Sequence, residues 1–223
     1  MTVKAERLKN VFLLNMNRIN GLVRLLFSHD IFQPATAFGP STGVRADMLR
    51  SVVVFLHATF EVMLRSQISN ANRSRSFYSK TDLDKALNSS GIEAKPFRFL
   101  YPPLTQMAKR RKRIVHEADF LHGDFRDWTI ADDWQLIMWL MAVAAFFYQL
   151  RISLRAEDVV ELAMYKKLRT AMASHMTFSK QLLSFPAVPQ ELQLQTLREI
   201  QATVDIILST LHLDVRDFTS VTI

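Results

Sequence analysis

The sequence predicts an all-α protein, an up-and-down helical bundle of about five long helices plus a short one. Three observations lead there. Glycine and proline number only 5 and 7 in 223 residues, too few turn-formers for a many-stranded sandwich or barrel. Apolar residues recur at spacings of three and four along most of the chain, and no stretch alternates convincingly as a strand. With 49% hydrophobic and 22% charged residues, the composition is that of a globular chain rather than a disordered or fibrous one. The length suits a single domain, 1–223, with 156–223 as a C-terminal helical extension.

The elements follow in order. From about Val3 to Ser28, Leu8, Val11, Phe12, Ile19, Leu22, Val23 and Leu26 form the apolar face of an amphipathic helix. Its opening apolar run, Val11 to Leu14, is broken at once by Asn15, Asn17 and Arg18, so no signal peptide is expected. Pro34, Gly39, Pro40, Ser41 and Gly43 mark a loop. A second helix, about Arg45 to Ser69, carries Met48, Val52, Phe55, Leu56, Thr59, Val62 and Met63, with His57 within the same stripe as an expected hydrogen-bonded core histidine. A short helix follows, opened by Thr81 with Asp84 three residues on and stopped by Gly91.

Pro102 and Pro103 open the next helix, where a first turn tolerates proline. It runs through Leu104, Met107 and a basic run to Val115 or Ala118. Thr129, with Asp132 and Asp133 in the first turn, starts a helix extending to about Leu154. Its stretch Trp134 to Leu150 is apolar nearly throughout but shorter than the about 20 residues a bilayer requires, so it reads as the buried central helix and no membrane partner is expected. Cytoplasmic location is the default. Another helix spans about Ala156 to Leu183. Glu191 to Leu213 shows a near-heptad seam at Leu197, Ile200, Val204, Ile207 or Leu208, and Leu211.

Composition also excludes chemistry. The chain has no Cys, which removes disulfides, thiol nucleophiles, thiolate zinc sites and iron–sulfur clusters. The five glycines are scattered, so neither a dinucleotide fingerprint nor a Walker loop can be built. No cofactor is expected. His122, Asp119, Asp124 and Asp127 are loose loop donors, and no metal site is assigned to them.

Charge points to a polyanion. Between Arg65 and His116 lie twelve of the 28 Lys and Arg but only three of the 21 acids. A cluster of that kind repels itself unless a polyanionic partner such as RNA balances it. Lys109, Arg110, Lys112, Arg113, Arg73 and Arg75 are the candidate RNA-binding residues. Phe77 and Tyr78 are candidates to stack on bases, whereas Trp134 and Trp139 sit at core spacing; Trp128 is left open.

Inside this segment, Lys109 to Phe120 places a single histidine, His116, after five consecutive cations. An imidazole exchanges protons near neutral pH, and a guanidinium holds phosphate through two parallel hydrogen bonds. The pair suffices in principle to cleave RNA by attack of the ribose 2′-hydroxyl, leaving a cyclic phosphate.

Arg111, four residues and His116, with Ile114 and Val115 before the histidine and Glu117, Ala118 and Asp119 after it, resembles the R-x4-6-H motif of HEPN domains. Phe60 and Glu61 resemble an aromatic–acid pair common in the second long helix of that family. The resemblance covers two helices. It implies a helical bundle, a metal-independent endoribonuclease, a homodimer that pairs the motif helices, and a toxin or antiviral defence effector restrained by a partner protein or antitoxin. By the same resemblance Arg111 and His116 are catalytic and Glu61 an acid that orients or charges them. Two departures stand out: Lys112 occupies the place where many members have Asn, Asp or His, and Ala118 replaces a tyrosine that a toxin subgroup modifies.

Helix geometry complicates the pair. Residues five apart are rotated by about 140° on a straight helix, whereas Lys112 and Arg113 share the face of His116. Arg111 therefore reaches the same phosphate through its long side chain, through a kink, or across a two-fold axis. Arg113 is a competing phosphate ligand. The rival expectation is a non-catalytic module binding nucleic acid or a protein through the same basic face.

Overall fold

The computed structural model describes residues 3–28, 44–67, 77–116, 120–121, 124–125, 130–154, 159–183 and 202. The described part is an all-α bundle: α1 (Val3–Ser28), α2 (Val44–Gln67), short α3 (Lys80–Asn88), a 3₁₀ turn (Lys95–Leu100), α4 (Tyr101–His116), α5 (Ile130–Leu154) and α6 (Val159–Leu183). Two two-residue strands, β1 (Phe120–Leu121) and β2 (Asp124–Phe125), pair antiparallel between α4 and α5, where the sequence shows no strand signal.

A helix apolar on every side has to be surrounded. Accordingly α5 is the axis of the bundle, with every residue from Trp139 to Arg151 buried. Phe146 meets Phe60 of α2 edge-on at 5.2 Å and Phe97 of the 3₁₀ turn at 4.7 Å, and Phe147 stacks on Phe12 of α1 at 4.2 Å. Two adjacent rings thus tie three elements to the axis, in the edge-on and offset arrangements aromatic rings prefer. Among the described helices α5 alone has the length and apolarity to cross a membrane. Its enclosure identifies it as the core helix.

The two acids opening α5 are structural as well as capping. Asp133 pairs with Arg45 of α2 at 3.1 Å, and Asp132 lies 3.9 Å from Arg110 of α4. All four side chains are buried. One helix N-terminus, where negative charge is favoured, therefore anchors two neighbours.

α6 runs antiparallel along α5. Arg151 and Glu161 form a buried ion pair near the connection, while at the far end His175 Nε2 donates to the Trp134 carbonyl at 2.9 Å. Tyr165, Leu168 and Met172 enter the common core. Residues 159–183 thus pack into the bundle, and the seam residues Leu197, Ile200, Val204, Ile207, Leu208 and Leu211 lie outside the described residues.

The short helix begins two residues earlier than the sequence signal indicated. Ser79, not Thr81, is the N-cap: its hydroxyl accepts from the Asp82 amide at 3.1 Å and donates to the Asp82 carboxylate at 2.7 Å. Asp84 is thereby released to accept from the Tyr101 hydroxyl at 2.8 Å and to pair with Arg98 at 3.5 Å. Gly91 stops the helix with φ +74°, a conformation that glycine adopts without strain.

Candidate nucleic-acid interface

α4 sorts the basic run by helical phase. Pro103, Met107, Arg110 and Ile114 recur at four, three and four, and this row faces the core, with Ile114 packed against it. Lys109, Lys112, Arg113 and His116 recur at three, one and three on the opposite side, and all four are exposed. The outer face of α4 is therefore a cationic stripe ending in an imidazole.

Arg110 does not belong to that face. At 4% exposure its guanidinium is turned inward beside Asp132, so its expected phosphate contact is replaced by a structural ion pair. The sequence held the signal, since Arg110 stands three residues after Met107 and four before Ile114. Arg73, Arg75, Trp128, His122, Asp119 and Asp127 lie outside the described residues. Among the described residues no group of three His, Asp or Glu is placed to hold a metal ion.

Arg111 sits at the seam of α2 and α4, half-buried. Its Nη1 donates to the Tyr78 hydroxyl at 3.4 Å, a long hydrogen bond. Tyr78 lies nearly parallel to His57 of α2, with ring centroids 5.6 Å apart and planes 15° apart. His57 is buried as expected, yet among the described residues its Nε2 has no hydrogen-bond partner, unlike the hydrogen-bonded core histidine that the spacing suggests. Burial and then the nearby Arg111 charge hold its pKa at about 4, so the ring is neutral.

Glu61, one turn beyond His57, is half-buried and lies 3.9 Å from Arg65 of the following turn. Among the described residues no hydrogen bond or ion pair links it to Arg111 or His116. Phe77, a candidate for base stacking, is instead core at 1% exposure beneath the Arg65 guanidinium, 5.4 Å from the ring centroid. Tyr78 has one face covered by His57. Trp134 and Trp139 are buried, as their spacing predicts.

The molecule at this point is an all-α bundle whose fourth helix carries a cationic outer stripe and an arginine set at the seam with the second. No family model matches the chain, and neither a curated protein nor a solved structure does.

The second buried histidine behaves like the first. His175 is depressed to about 4 by burial, against the opposing pull of the Trp134 carbonyl. Both rings take protons near pH 6.5 once the chain unfolds. Below pH 6.5 the unfolded chain binds protons that the fold refuses, so stability is full above that value, falls as pH drops toward 4 and levels off below it. Each histidine contributes up to about 3 kcal/mol of the loss. Denaturant unfolding at pH 7.0, 5.5 and 4.0 should give steadily lower midpoints in the parent and a shallower decline in His175→Gln. A flat profile would contradict the buried neutral rings.

Proposed function

We propose that the chain is a metal-independent endoribonuclease of HEPN type, acting in the cytoplasm as a homodimer and serving as a toxin or antiviral effector restrained by a partner protein. The observation that carries this reading is the exposed stripe Lys109, Lys112, Arg113 and His116, which sets an imidazole at the end of a row of cations suited to phosphate. His116 takes the proton from the ribose 2′-hydroxyl. The 2′-oxygen attacks phosphorus, the bond from phosphorus to the 5′-oxygen breaks, and the departing 5′-oxygen takes a proton from water. Arg111 balances the charge on the pentacoordinate phosphorus. The products are a 2′,3′-cyclic phosphate and a 5′-hydroxyl.

The two-fold arrangement has its own support. α4 is an uninterrupted α-helix from Tyr101 to His116, so a break at the motif does not bring the pair together. Arg111 faces Tyr78 at the helix seam while His116, about 140° away round the axis, faces outward. Two copies with their α4 helices apposed would set the Arg111 of one against the His116 of the other.

The test is cleavage of RNA by the purified protein in excess chelator, followed by analysis of the new ends. Cyclic phosphate ends are expected; 5′-phosphate ends, or no cleavage, would contradict the reading.

A second reading is favoured by the Arg111–Tyr78 contact, which gives the arginine a structural use. Under it the bundle binds RNA through the stripe without cutting. Both readings predict that charge reversal at Lys109, Lys112 and Arg113 weakens RNA binding at low salt, and that each lost phosphate contact lowers the slope of log affinity against log salt by about 0.7. Only the second predicts that His116→Ala leaves every RNA property unchanged. Filter binding across a salt series measures the slope, and an unaltered slope would remove the stripe from both.

A further inference from the structure

We infer that Tyr78, rather than Glu61, is the positioning residue for Arg111, holding the guanidinium by a neutral oxygen and leaving its charge available to a phosphate. The inference rests on the nuclease reading and deepens it.

The contacts start on α2. His57 is 1% exposed and fixed in the packed core, and its ring lies 15° from parallel with Tyr78. The adjacent Phe77 is buried below Arg65, two turns further along the same helix. The segment Phe77–Tyr78 is thus held against α2 at two points, which sets where the Tyr78 hydroxyl stands. From there that oxygen accepts the hydrogen bond of Arg111 Nη1 at 3.4 Å. Two helices and the segment between them therefore determine the place of one guanidinium.

The chemistry of the partner matters as much as its position. A carboxylate in the same place would cancel most of the positive charge that a phosphate needs, whereas a phenol fixes direction without adding a negative charge. The carboxylate on this stretch of α2, Glu61, lies 3.9 Å from Arg65 and makes no ion pair with Arg111 among the described residues. His57 adds no competing charge, because burial and Arg111 keep it neutral.

Tyr78→Phe tests this, since it keeps the ring and its stack on His57 and removes only the hydroxyl. Metal-free RNA cleavage should slow about tenfold in kcat, with KM, cyclic phosphate ends and unfolding midpoint as in the parent. Glu61→Gln should stay within about twofold of the parent. The double variant Tyr78→Phe/Arg111→Ala should be no slower than Arg111→Ala alone, because the tyrosine acts through the arginine. A Tyr78→Phe enzyme with unchanged kcat would overturn the inference. So would a raised KM with unchanged kcat, which would mark Tyr78 as a binding residue, or a Glu61→Gln loss larger than that of Tyr78→Phe. The two failures are distinct: a parent that cuts no RNA overturns the nuclease reading and this inference together, while an active parent with an equally active Tyr78→Phe overturns this inference alone.

Discussion

His116→Ala is expected to lower metal-free RNA cleavage by about 10²–10⁴-fold, the usual worth of a positioned acid–base group, while RNA affinity changes little. The contrast follows from where the residue sits. His116 ends an exposed stripe whose other members, Lys109, Lys112 and Arg113, carry the cationic charge, so on the proposed reading removing the ring takes away proton transfer and leaves most of the phosphate contacts. Arg111→Ala should cause a comparable loss through the charge on phosphorus. It should also raise the pKa of His57, which that guanidinium helps to depress. Cleavage under single-turnover conditions gives the first effect and the ring resonances of His57 across a pH series give the second. Full activity in either alanine variant would contradict the catalytic assignment.

The other large effect concerns Arg110, one residue before Arg111 and turned to the inward side of the helix. Arg110→Ala should destabilise the fold by about 3–5 kcal/mol, because it leaves Asp132 buried without the guanidinium that faces it. Lys112→Ala, on the exposed side, should stay within about 0.5 kcal/mol of the parent. RNA affinity should respond in the reverse order, falling for Lys112→Ala and holding for Arg110→Ala while the protein is folded. Chemical denaturation and filter binding on the same preparations decide it. An Arg110→Ala protein of parental stability and weakened RNA binding would contradict the inward placement.

The pair of expectations shows what was legible in the chain. The long helices announce themselves through spacing, and α5 through its unbroken apolarity, because burial on all sides leaves no polar face to write into the sequence. A run of five cations conceals its own phase, so Arg110 reads as one more surface charge until Met107 and Ile114 fix which way the helix is turned. The N-cap is hard to place from sequence for a similar reason: Ser79 and Thr81 each have an acid three residues on, Asp82 and Asp84. Only the tertiary demand of Tyr101 and Arg98 on Asp84 separates them. His57, Tyr78 and Arg111 come from three separate stretches of chain and meet only when α2 packs on α4, a contact that local spacing does not encode. The family resemblance named Arg111, His116 and Glu61, but it gave no hint that a tyrosine would stand between α2 and the arginine.

On the proposed reading, an arginine from one copy and a histidine from the other share a phosphodiester. Mixing purified Arg111→Ala and His116→Ala proteins, after mild dissociation and reassociation, tests it most directly. In a mixed dimer one cleft keeps both groups, so the mixture should regain about a quarter of parental metal-free cleavage if subunits exchange at random and each cleft acts alone. A mixture as silent as either variant alone, from subunits shown to have exchanged, would contradict the claim.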